Sequence, residues 1–184
     1  MRKIGSISLS MNAIVVVVLA FVMLGLGLTI ASKVGGIADR QLNNADAILD
    51  IGKKATSSDP ITLQKLNIKR GDSTEELIGF YNAEDISLDN AIPQITKCIG
   101  DAGTVETDVN KLPIATTLPQ AVQPSQGIGF SVKFKFKGTT AADSLSVGSY
   151  ICEIAFCDLG PTAAGTCTPT NIKETKQITL TVSS

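Results

Sequence analysis

Four cysteines carry most of the side-chain chemistry in this sequence: Cys98, Cys152, Cys157 and Cys167. An even number confined to the C-terminal half suits disulfides in an exported domain. Zinc would need the same thiolates, but Cys-x4-Cys-x9-Cys with a distant fourth sulfur is not a standard ligand spacing. The chain has no histidine, which removes the commonest general base and the commonest metal ligand. Ser-His-Asp and Cys-His nucleophile arrangements are thereby excluded. The carboxylates of Glu84, Asp85 and Asp89 gather in one segment, but their spacing does not fit an EF-hand, and a solvated acidic loop is expected. There is no Gly-rich phosphate loop or nucleotide fingerprint. Arg70-Gly71-Asp72 reads as a turn rather than an adhesion tripeptide, and Asn-x-Ser/Thr sequons are absent. These residues point away from an enzyme and imply no metal and no cofactor.

The sequence has 184 residues and a net charge of -1, about one domain once an apolar N-terminal segment is set aside. With no basic block, nucleic acid is not an expected partner.

The elements that must position the cysteines read as strands. Ile128, Phe130, Val132, Phe134 and Phe136 alternate with Lys133, Lys135 and Lys137, the period of a half-buried antiparallel strand over 128–137. The lysines then form a solvated face or a guarded edge. Strands are also expected over 61–69, 76–82, 95–99, 149–158 and 176–182, with Arg70 to Ser73 as a turn. Asp101 to Gln126 reads as a long surface loop holding a short strand near 112–116. Tyr150, two residues before Cys152, is similar to the tyrosine corner of immunoglobulin-like sandwiches. Strand parity puts Cys152 on the face of Tyr150, Ile154 and Phe156, and Cys157 on the other. Of three connectivities, parity favours Cys98–Cys152 and Cys157–Cys167.

At the N-terminus, Ala13 to Ile30 holds no charge in 18 residues, about 27 Å of helix against a hydrocarbon core of about 30 Å. Arg2 and Lys3 before it place the N-terminus inside and the rest outside. Beyond it, Val34, Ile37, Ala38, Leu42, Ala45, Ile48 and Leu49 fall largely on one face at helical spacing. Gly52 followed by Lys53-Lys54 reads as a helix stop. Gly27, Ala31 and Gly35 recur every four residues, a spacing that lets helices approach closely. The expected fold class is α+β: a long N-terminal α-helix, apolar and then amphipathic, followed by an all-β immunoglobulin-like sandwich. The expected divisions are a basic leader at 1–5, a helix at 6–52, a linker at 53–60 and a disulfide-braced domain at 61–184.

Three processing schemes fit these segments. A secretory signal would be cut after Ala31, a plain single-span anchor would keep Met1, and a leader ending at Gly5 would be cut to leave Ser6. The third scheme, with Arg2-Lys3-Ile4-Gly5, Ser8 and the uncut apolar stretch, resembles archaeal type IV pilins and related pilin-like surface proteins. Ser10 stands where that family often carries glutamate. The resemblance implies a leader peptidase acting between Gly5 and Ser6, insertion in the cytoplasmic membrane, and assembly with copies of itself into an extracellular attachment filament. The alternative is a single-span surface protein whose immunoglobulin-like domain binds a partner.

Overall fold

A computed structural model describes residues 18–19, 21–24, 44–140, 142–161 and 167–184. Two compact units are present, Met1–Ala45 and Asp46–Ser184. In the first, residues 18–19 and 21–24 are helical, and their large apolar side chains, from Val18 to Leu24, are more than half exposed.

The second unit opens with helical residues 46–54, part of a described helical stretch at 44–54, and continues as a β-sandwich. Nine strands follow among the described residues: β1 (Lys65–Lys69), β2 (Ser73–Tyr81), β3 (Leu88–Gly100), β4 (Val105–Glu106), β5 (Ile114–Thr116), β6 (Gln120–Val122), β7 (Gly127–Lys135), β8 (Gly148–Asp158) and β9 (Ile172–Ser183). The larger sheet runs β1-β9-β8-β3-β4, with β6 also pairing β3, and the smaller runs β2-β7-β5. All ladders are antiparallel except β1 with β9. The turn at 70–72 carries the chain from the larger sheet to the smaller. Gly71 supplies its positive φ of 79°, and the Asp72 amide donates to the Lys69 carbonyl. Arg70 donates from Nε to the Leu145 carbonyl at 2.9 Å, so its guanidinium is committed to the fold.

Alternation decides what is inside. Phe130, Val132 and Phe134 of β7 and Phe136 just beyond it are buried, while Lys133, Lys135 and Lys137 are exposed. Phe156 of β8 joins the two layers: it stacks on Phe80 of β2 at 4.2 Å between ring centroids and meets Phe130 edge-on at 5.2 Å. The buried faces of β1, β3 and β9 supply Leu66, Ile68, Ile95, Ile178 and Leu180 to the same core. Tyr150 donates its hydroxyl to the Ser146 carbonyl at 2.9 Å, four residues upstream, as a tyrosine corner does. The β part is thus an immunoglobulin-like, disulfide-bonded sandwich.

The fold class expected from sequence needs correction. The described residues are mainly strand, their helix is confined to 18–19, 21–24 and 44–54, and no helix among them is long and apolar enough to cross a membrane. An α+β fold built on a long N-terminal helix is therefore replaced by a β fold with short helical stretches. The physical reason is that 3.6-residue periodicity fixes the direction of an apolar face but not its continuity. A helix is held mainly by the surface that covers it, and residues 46–54 have such a surface. The region read as a long loop holds the short strand expected near 112–116, as β5, and two more, β4 and β6, of three residues or fewer and too short to show a period.

Candidate functional site

The outward face of the smaller sheet is built around missing side chains. Gly79 of β2 lies directly opposite Gly129 of β7, and Tyr81 opposite Gly127. The C-terminal end of the helix rests on these glycines. A Cβ on Gly129 would meet the Ile48 carbonyl oxygen, one on Gly79 the Ile51 carbonyl oxygen, and one on Gly127 the Gly52 carbonyl oxygen. The fit is reciprocal, since a Cβ on Gly52 would come within 2.7 Å of the Gly129 nitrogen. Gly52 and Ala55 are buried and Ile48 and Ile51 half-buried, whereas Leu49 is 61% exposed. After the helix, residues 55–60 make a tight turn, with paired backbone bonds between Thr56 and Asp59. Lys176 of β9 holds that turn through the Asp59 carboxylate and the Ile61 carbonyl. The Thr62 amide donates to the Gly79 carbonyl and the Gly79 amide to the Thr62 hydroxyl, closing the outer edge of β2 beside the seat.

A second feature lies at the other edge. The far side of β3 pairs with β6 at Leu88 and Ala91 and with β4 at Cys98 and Ile99. Between these, Ile92 to Lys97 have β8 as their ladder partner among the described residues. A cleft of about 440 Å³ opens there, walled by Ile92, Pro93 and Ile95 on one side and Leu112, Pro113 and Ile114 on the other. Lys137 stands at it, donating to the Asn110 side-chain oxygen at 2.8 Å.

The structure joins Cys98 to Cys152, directly opposite one another on β3 and β8, and Cys157 to Cys167. The first bond lies in the core within one sheet. The second ties Cys167 to the outer face of β8, where Ala155 and Cys157 are buried. The Cys167 amide donates to Gln94 Oε1 at 2.9 Å, and the Asn90 side chain donates to the Gly160 carbonyl at 2.7 Å. Gly5, Ser6, Gly27, Ala31 and Gly35, singled out for leader cleavage and helix packing, lie outside the described residues.

The acidic segment does not gather into a cation site. Glu84 pairs with Lys173 at 3.1 Å, and no group of three or more His, Cys, Asp or Glu among the described residues could hold a metal. Burial, and then the nearby Glu84 charge, push the Glu174 carboxyl above the usual glutamate range. Burial alone would raise Glu153 as well, but hydrogen bonds from Lys97 and Thr96 outweigh it and hold that carboxyl below its ordinary value.

The glycine floor and the stretch of β3 paired on one side are the features that sequence reasoning missed. A signal existed for each. Glycines at outward positions of two strands mark a close backbone approach, and Pro93 inside a strand marks a free edge.

No protein family model matches this sequence, and no curated protein does. Among solved structures it is similar to the PapD-like domain 7 of human CEP192 at 12% identity, covering 68% of this chain and 84% of that one with a TM-score of 0.33. It is similar to WR4, an MSP family member of C. elegans, at 7% identity over 67% and 95% of the two chains with a TM-score of 0.35. A family 123 glycoside hydrolase from Clostridium perfringens is similar at 10% identity and a TM-score of 0.37, over 73% of this chain but 25% of that one.

Proposed function

We propose that this protein is a structural subunit of an extracellular filament of the archaeal type IV pilus kind, supporting surface attachment. The observation that carries the reading is the seat of the helix at 46–54. Its carbonyls rest on strand backbone at Gly79 and Gly129, with the Ile51 and Thr62 methyl groups beside them, so residues 46–54 are fixed closely to the sandwich. A closely seated 46–54 suits a subunit that bears load within an assembly. The exposed apolar side chains of Val18, Leu19, Phe21, Val22, Met23 and Leu24 favour it too, because exposed apolar surface calls for lipid before assembly and for other copies afterwards. Two disulfides suit an oxidising exterior. In this reading a leader peptidase cuts between Gly5 and Ser6, the partners are the membrane and then copies of the same chain, and the protein catalyses no reaction. The mass of the mature N-terminus tests it. A chain beginning at Ser6, with filaments visible by electron microscopy, supports the reading, and one beginning at Met1 or Ser32 overturns it.

The apolar cleft beside β3 favours a second reading, a membrane-anchored surface protein whose sandwich binds a partner. A mature chain that keeps Met1 and stays monomeric in detergent is the outcome that reading requires.

A further inference from the structure

The outward face of the larger sheet carries an exposed apolar row. Ile151 of β8 lies opposite Ile99 of β3 on one side and Thr179 of β9 on the other. Ile99 in turn lies opposite Val105 of β4, and Thr179 beside Lys65 of β1. The row thus crosses five strands, from Val105 to Lys65. Its residues point away from the core, because their chain neighbours Cys98, Cys152, Leu66 and Leu180 are the buried ones. Ile151 is 54% and Val105 59% exposed, and Ile99 is half-buried. A shallow hollow of about 280 Å³ lies along the row, between Ile99 and Asp101 on one side and Ser149 and Ile151 on the other. Toward Cys157 the row is bounded by the Lys97–Glu153 ion pair at 2.9 Å.

Charge lies unevenly about this row. Lys65 and Lys69 stand at its β1 end, and Asp101 stands at the other, in the turn after β3. All three are exposed and have no ion pair among the described residues. An apolar row with cations at one end and an anion at the other is complementary to itself after half a turn. A two-fold axis parallel to the strands, passing over Ile151 between two such faces, sets Ile151 on Ile151 of the second copy. It also sets Ile99 on Thr179 and Val105 on the aliphatic stem of Lys65. The same operation carries Asp101 of each copy toward Lys65 and Lys69 of the other. An axis across the strands brings Lys65 onto Lys65 and leaves Asp101 far from both lysines, so charge selects the first arrangement. A lipid surface would cover the isoleucines but has no use for opposite charges at the two ends.

We propose that the outward face of the larger sheet is a two-fold contact between two copies of this chain, centred on Ile151 and closed at each end by Asp101 of one copy with Lys65 and Lys69 of the other. The apolar row is short, so the contact is weak, with a Kd of about 10–100 μM. It goes beyond the filament reading. Every residue that forms it lies in the β domain, and a contact that closes on itself pairs two domains without propagating.

Sedimentation equilibrium of the full chain, in a density-matched detergent that keeps it dispersed, measures the pairing. A monomer–dimer equilibrium is expected, weakened at least about tenfold by Ile151→Glu with the melting temperature unchanged. Asp101→Lys alone and Lys65→Glu with Lys69→Glu are each expected to weaken it about fivefold at low salt, and the three changes together to recover it. A chain that stays monomeric at about 1 mM overturns the proposal. So does a dimer indifferent to Ile151→Glu, and so do charge reversals whose losses add when they are combined. Unchanged self-association, with loss of binding to phosphatidylcholine vesicles in Ile151→Glu, overturns it in favour of a lipid surface as the occupant.

Discussion

Gly79 and Gly129 face each other across β2 and β7, and the space where their side chains would stand is filled by the carbonyl oxygens of Ile51 and Ile48. Two strands and a helix end therefore meet backbone to backbone. The Ile51 and Thr62 methyl groups pack beside the same two glycines, but the carbonyl oxygens lie nearer and cannot yield by changing a rotamer.

Gly129→Ala is expected to lift the helix end off the sheet. The added methyl displaces the Ile48 carbonyl, and relief requires main-chain movement, at a cost of about 1–3 kcal/mol. Urea unfolding measures the loss. Limited proteolysis after Lys53 and Lys54, faster in the variant, shows where it falls. An unchanged midpoint and cleavage rate would mean that the helix does not rest there.

The two disulfides should contribute unequally. Cys98–Cys152 spans 54 residues of sequence and Cys157–Cys167 spans 10, which in the chain-entropy account correspond to about 4 and about 3 kcal/mol. Removing the first by paired substitution to alanine also leaves a void in the core, so its loss is expected to be the larger. Removing the second should release Cys167 from β8 with the sandwich intact. Denaturation of the two double variants checks the order, and a larger loss from Cys157→Ala/Cys167→Ala would contradict it.

Glu174 gives a pH dependence of defined sign. Burial and the Glu84 charge raise its folded pKa above the unfolded value. Folding therefore favours the protonated form, and stability from this group is present below the unfolded pKa and lost as pH rises through the folded one. Glu174→Gln is expected to raise the melting temperature slightly at pH 7, by less than about 0.5 kcal/mol because the group is mostly solvated, and to change nothing at pH 3. Thermal melts at the two pH values decide it, and stabilisation that is equal at both would dismiss the electrostatic cause.

Much of the sandwich was legible because half-buried strands show their period. The alternation from Ile128 to Phe136 marked the core face of β7, and the parity of Cys152 and Cys157 separated an inward sulfur from an outward one. The N-terminal part was misread: no helix among the described residues is long and apolar enough to cross a membrane, and apolar residues at helical spacing do not by themselves set a helix's length. The seat at Gly79 and Gly129 and the cleft beside β3 left only single-residue marks in the sequence. Each is created by pairing between segments far apart in sequence, and a glycine or a proline in isolation does not announce its neighbour.

The parallel pairing of β1 with β9 has a mechanical consequence. Lys65 lies beside Thr179 and Lys69 beside Ser183, and the ladder is lengthened by the Thr179 amide on the Gln64 carbonyl and the Arg70 amide on the Ser183 carbonyl. Tension applied between the helix end and the chain beyond Ser183 pulls these two strands along their length in opposite directions. The bonds between them are then loaded together in shear and do not unzip one at a time. A domain wired this way resists being pulled open along the line that joins its two ends.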